Sequence, residues 1–159
     1  MSFYIGLDIG QSQDYTALAV VEKVKASEGG DPDLHLRHLE RYPLRTPYPD
    51  MVAQVAALVE NPQLTSTHLD RRLGQMVLDE PDLLVDATGV GRPVVDLFKE
   101  RGLKYKAITI TGGNKVTVAS LGGGYGVPKR DLIGALEVPF HSGRLKVAAG
   151  LTLWETLRS

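Results

Sequence analysis

The chain has 159 residues, 43% of them hydrophobic and 23% charged, a size and balance that suit one domain with a proper core. Its net charge of −1 gives no global attraction to nucleic acid, so a polyanionic partner requires a local basic patch. The absence of cysteine excludes disulfides, thiol catalysis and cysteine-bound metal; no apolar run is long enough to span a membrane, and Met1 leads into a strand rather than a secretory signal, which makes the cytosol the expected compartment.

The first stretch, Tyr4 to Val21, reads as two apolar strands joined by a polar turn over Gly10 to Asp14. The first strand carries Asp8 to its far end, where a lone carboxylate usually caps a strand or pairs with a neighbour. Ala26 to Asp33 is a turn, and Leu34 to Tyr42 alternates as a third, half-exposed strand. His35 and His38, three apart, are expected on opposite faces of that strand, which argues against a shared metal. Pro43, Pro47 and Pro49 mark a connector, and Asp50 is a plausible N-cap for a helix burying Met51, Val55, Leu58 and Val59. Asn61-Pro62 ends it, and Leu69 to Leu78 reads as a second amphipathic helical piece.

Asp82 to Asp86 is a short, continuously apolar strand of central type that again ends in a carboxylate. The Gly-containing loop Ala87 to Pro93 leads into a helix with Val94, Val95 and Phe98 facing inward, closed by Arg101-Gly102. Tyr105 to Thr111 is a further strand. Thr111 to Gly126 is Gly-rich, with a small hairpin expected at Lys115 to Ala119. Pro128 sits at a first helical position, and Lys129 to Phe140 form a helix with Leu132, Ile133, Leu136 and Phe140 on one side. Leu145 to Val147 is a short extended piece, and Leu151 to Leu157 begins another amphipathic helix.

The order of elements predicts an α/β fold, the ribonuclease H-like mixed sheet with helices on both faces. In that layout the first and fourth strands lie side by side, so Asp8 and Asp86 meet at one sheet edge, a shared cation site. Four chemistries compete. No G-x-x-x-x-G-K-[ST] run exists, and no G-x-S-x-G elbow. Gly89-Val90-Gly91 begins a dinucleotide fingerprint, but Val94 replaces its third glycine and Asp86 puts negative charge where pyrophosphate would lie. Two-metal phosphoryl transfer fits better, since hard Mg²⁺ or Mn²⁺ ions prefer carboxylates and water.

The segments GLDIGQSQDYTALAVVE, LLVDATGVGRPVVDLFKERG and VPKRDLIGAL…SGRLKVA resemble, in order, the nuclease domain of phage large terminase subunits, across nearly the whole chain. The resemblance implies metal-dependent endonuclease cleavage of concatemeric double-stranded DNA during packaging. It also implies other terminase or portal components as partners, and the cytoplasm of a phage-infected or lysogenic bacterium as location. Asp8 and Asp86 match the family's first two metal-binding aspartates, and Asp14 an acidic position in the first turn. The family's ATPase motor has no counterpart here, and its third ligand normally lies on an acidic C-terminal helix that the chain does not match, so a C-terminally incomplete domain over residues 1–159 is expected. Asp131 matches the K-R-D-L wording and suits the positive end of a helix dipole; it is an additional ligand candidate. Arg92, Lys115, Lys129 and Arg130 are the candidate DNA contacts, since Gly-rich loops let backbone approach phosphate and cations supply charge. The competing readings are an actin- or sugar-kinase-like nucleotide-binding half, which normally needs a second such domain, and a non-catalytic DNA-binding or assembly module.

Overall fold

A computed structural model describes residues 2–10, 13–26, 29–86, 88, 92–118 and 124–151. The chain runs β1 (Ser2–Asp8), β2 (Ala17–Val24), β3 (Asp33–Arg41), α1 (Tyr48–Val59), β4 (Ser66–Asp70), β5 (Gln75–Asp79), β6 (Asp82–Asp86), α2 (Arg92–Glu100), β7 (Lys106–Thr111), β8 (Thr117–Val118), β9 (Gly124–Pro128), α3 (Lys129–His141) and β10 (Leu145–Val147). Among the described residues, eight strands form one mixed sheet in the order β10-β3-β2-β1-β6-β7-β9-β8. The meander β1-β2-β3 is antiparallel, whereas β6, β7 and β9 add in parallel to β1.

The two-residue period of the strands sorts the side chains. Ile5 and Leu7 of β1, Leu18 and Val20 of β2, and Leu83 and Val85 of β6 are cross-strand neighbours on one face, and all are buried. That face is covered by Met51, Val52 and Val55 of α1 and by Val94 and Phe98 of α2. The Phe98 ring lies 5.2 Å from that of Tyr105, closing the core at the start of β7. Helix α2 ends as its sequence implied: Gly102 adopts φ +67, and the Leu103 amide donates back to the Phe98 carbonyl at 3.0 Å. The predicted inward position of Val95 falls on a side chain outside the described residues, as does the helix expected from Leu151 onward beyond residue 151.

The opposite face carries Tyr4, Gly6 and Asp8 of β1, in register with Asp82, Leu84 and Asp86 of β6. Helix α3 lies against only part of it: Gly134, Ala135 and the buried Pro139 border a cleft facing Tyr4, Lys23 and Leu34. Helices therefore stand on both faces, as expected. At the middle of β1 the face is open, for a Cβ added to Gly6 would meet nothing within 4 Å.

Several expectations change. Leu69 to Leu78 is not helical but the hairpin β4-β5, pairing Ser66–Asp70 with Gln75–Asp79. Its turn is made by Asp70, whose Oδ1 accepts the Arg72 and Leu73 amides, and by Gly74 at φ +66, so local turn chemistry overrides the apolar spacing. Helix α1 begins at Tyr48 with Pro47 as N-cap, and Asp50 lies in its first turn instead of capping it. Within the stretch expected to form a small hairpin, Thr117 and Val118 form β8 and pair with β9, while its last residue, 119, lies outside the described residues; Pro128 closes β9 before α3 begins. His35 and His38 share a face, because a bulge at Arg37 shifts the register: Leu36 pairs with Val21, whereas His38 pairs with Val20. The bulged Arg37 reaches the buried Glu22 through Nε and Nη2, at 2.7 and 2.5 Å from one carboxylate oxygen. The apolar side of α3 is not core: Leu136 and Phe140 are 58% and 59% exposed.

Candidate active site

Asp8 and Asp86 are direct partners in the parallel β1–β6 ladder, each the last residue of its strand. Adjacent strands stand about 4.8 Å apart and paired residues share a face, so both carboxylates rise from one spot on the open side of the sheet. The strands end there for different reasons. After β1 the chain turns tightly. A Cβ on Gly10 would lie 2.2 Å from the Asp14 carbonyl oxygen, so only glycine permits this close approach. The Gly10 amide donates to the Thr16 hydroxyl at 3.1 Å, fastening the turn. After β6, Asp86 Oδ1 accepts the Thr88 amide at 2.8 Å, and the Thr88 hydroxyl accepts the Ile110 amide of β7 at 2.9 Å. One oxygen of Asp86 is thereby engaged by backbone, which orients the carboxyl group.

The electrostatics follow from this crowding. The Asp8 carboxyl is raised above its usual value of 3.8, first by desolvation, then by the charge of Asp86, then by that of Asp14. Asp8 keeps much of its area open to water. Asp14, on the β1–β2 turn, is thus brought within electrostatic reach of Asp8. Asp131 is placed elsewhere, in the first turn of α3, with Arg130 Nε 3.3 Å away. Among the described residues, no group of three or more His, Cys, Asp or Glu side chains is placed to hold a metal ion. Asp8 and Asp86 supply hard oxygen ligands suited to one divalent ion completed by water.

The cations divide. Because β1, β3, β6, β7 and β9 run the same way, their C-terminal ends share one edge of the sheet. Asp86 pairs with Ile108, which pairs with Tyr125, yet β7 and β9 continue to the Thr111–Pro128 pair. They project three residues, about 10 Å, beyond the carboxylates. Lys115, Lys129 and Arg130 stand at the top of this wall, where Arg130 Nη2 donates to the Asn114 carbonyl at 2.8 Å and braces the Gly-rich loop. Arg92 opens α2, but its side chain is outside the described residues. Two features escaped the sequence reading. Thr88 was legible only as part of a Gly loop, although Asp followed two residues later by Thr is a turn signal. Arg41, at the end of β3, lies over the Tyr15 ring with Cζ 4.2 Å from its centroid; no sequence spacing links those two residues.

No protein-family model matches the chain, and no curated protein is significantly similar to it. Solved structures are similar in fold. A manganese-soaked human cytomegalovirus terminase nuclease domain superposes with a TM-score of 0.51 at 13% identity, over 95% of this chain and 63% of that one. The same domain, manganese-soaked with an inhibitor bound, gives 0.47 at 14% identity over 95% and 65%. Thermus thermophilus RuvC gives 0.35 at 22% identity over 66% and 60%. The chain thus spans less than two thirds of the length of each. The first superposition takes in nearly the whole chain, and together with the strand order it assigns the fold: the chain is a ribonuclease H-like α/β domain.

Proposed function

We propose that this is the nuclease domain of a terminase large subunit, a divalent-metal-dependent endonuclease that cuts concatemeric double-stranded DNA. The observation that carries the reading is the register of Asp8 with Asp86 on adjacent parallel strands, facing an open surface. The three terminase-like segments support it, as does the fold shared with the manganese-soaked cytomegalovirus terminase nuclease domain. Asp8 and the other oxygen of Asp86 would hold Mg²⁺ or Mn²⁺, with Asp14 adding negative charge beside Asp8. Such an ion, when bound, stabilises charge on a phosphoryl oxygen and supplies hydroxide near neutral pH. The chain's own residues do the positioning. Thr88 fixes the Asp86 carboxyl against β7, Gly10 lets the first turn fold back toward Asp8, and the wall carrying Lys115, Lys129 and Arg130 offers positive charge to the DNA backbone.

Cleavage by this chain should be slow, because two-metal hydrolysis clamps both the attacking and leaving oxygens and no three-ligand group is present among the described residues. The test is nicking of supercoiled plasmid in Mn²⁺, paired with calorimetric titration of the ion. Weak nicking and Mn²⁺ binding, both lost in Asp86→Asn, are expected. Nicking that survives Asp86→Asn refutes the site. Mn²⁺ and DNA binding with no nicking under any condition favours the non-catalytic DNA-binding module.

A further inference from the structure

The pair Arg41–Tyr15 is unexplained by the site so far, and its position is specific. Asp8 pairs with Ala17, and Ala17 pairs with Arg41, so Arg41 stands two strands from Asp8, at the same level and on the same open face. At about 4.8 Å per strand the separation is roughly 10 Å. Lys115, Lys129 and Arg130 lie on the other side of the carboxylates and beyond their level, and Arg130 is committed to Asn114 and Asp131. Among the described residues, Arg41 meets no carboxylate partner; its guanidinium lies over the ring of Tyr15, which is 45% exposed. The pair is held from both sides of its backbone. The Tyr42 amide donates to the Thr16 carbonyl at 2.9 Å, and the Thr16 hydroxyl accepts the Gly10 amide at 3.1 Å.

From this geometry we infer, on the basis of the nuclease reading above, that Arg41, held over the Tyr15 ring, is a backbone-phosphate subsite for the DNA strand running past Asp8, on the side away from the Lys129 wall. A polyanion approaching two carboxylates is repelled unless cations flank them, and the chain's net charge of −1 supplies no general attraction. An arginine held over an aromatic ring by a cation–π contact loses less freedom on binding phosphate than an unrestrained one. A separation of roughly 10 Å is well over the roughly 3.4 Å axial rise of one nucleotide, so Arg41 meets a different phosphate of the strand from the one at the carboxylates.

The experiment is a fluorescence anisotropy titration of a labelled DNA duplex with the full chain, without divalent ions and at several salt concentrations. Variants Arg41→Ala, Arg41→Lys and Arg41→Gln are compared with Arg71→Ala, since Arg71 sits on the β4-β5 hairpin rooted at the opposite end of the sheet. Circular dichroism melts show that each variant is folded. Arg41→Ala and Arg41→Gln should weaken binding about 3- to 10-fold at low salt and lower the slope of log affinity against log salt by about one. Arg41→Lys should keep the slope and lose part of the affinity, and Arg71→Ala should change neither. Arg41 variants that match the wild type in affinity and slope overturn the subsite while leaving the nuclease reading intact; so does an equal loss in Arg71→Ala. A wild-type chain that binds no duplex without divalent ions overturns the subsite; one that also binds none with Mn²⁺ present refutes the nuclease reading as well.

Discussion

Replacing Asp8 by Asn should make the domain more stable at pH 7, the reverse of what most substitutions do. Asp8 faces Asp86 across one strand spacing, with Asp14 nearby, and desolvation adds to their repulsion. Two charges about 5 Å apart interact by roughly 0.8 kcal/mol in water and about 3 kcal/mol at an effective dielectric of 20. Since Asp8 is exposed, screening favours the lower end, and about 1 kcal/mol is the expected gain. In a domain of this length that corresponds to a rise of about 2–4 °C in Tm. The sign with pH follows from the direction of the shift. The folded-state value is raised above 3.8, so the penalty is full above the raised value and is relieved as pH falls through it toward 3.8. The advantage of Asp8→Asn should therefore vanish near pH 3.5. Calorimetric melts of wild type and Asp8→Asn at both pH values test this. Mn²⁺ provides an independent check: at ten times its Kd an ion bound only by the folded state adds about 1.4 kcal/mol, an increment the variant should lose. A Tm for Asp8→Asn at or below the wild type at pH 7, or a gain that persists unchanged at low pH, would refute the reasoning.

Three further outcomes are expected. Phe98→Ala removes a ring that is 1% exposed between the sheet and Tyr105, and should cost about 3–5 kcal/mol in a urea unfolding titration. Gly10→Ala forces a Cβ against the Asp14 carbonyl; it should destabilise by more than about 1 kcal/mol and displace the turn, which a weakened Mn²⁺ affinity at Asp8 would report. Arg37→Ala leaves the Glu22 carboxylate buried and without its guanidinium, at a cost of about 2–3 kcal/mol because Arg37 itself is half-exposed, and the double variant with Glu22→Leu should recover most of that loss by the same unfolding measurement.

The sequence by itself determined those features that follow from local patterns with one physical solution. Ile5 and Leu7 alternating with Gly6 and Asp8 can only put two apolar residues on one face and a carboxylate on the other, and the run Leu83 to Val85 ending in Asp86 reads as a central strand. The order of strands and helices then made Asp8 and Asp86 neighbours, as the β1–β6 ladder shows. The helix from Lys129 was equally legible, but periodicity reports a side and not what covers it, so the exposure of Leu136 and Phe140 was not. The hairpin at Leu69 to Leu78 was misread because apolar spacing suits either period when Asp70 and Gly74 decide the turn. A single bulged residue, Arg37, moved His38 to the face of His35, and no local signal marks a bulge whose purpose is to reach Glu22 from another strand. The same holds at the site: Asp14 came near Asp8 because Gly10 admits the returning backbone, and Arg41 reached Tyr15 because its cross-strand partner, Ala17, follows Tyr15 by two residues. Contacts of that kind depend on register and on distance through space, and these exist only once the sheet has formed.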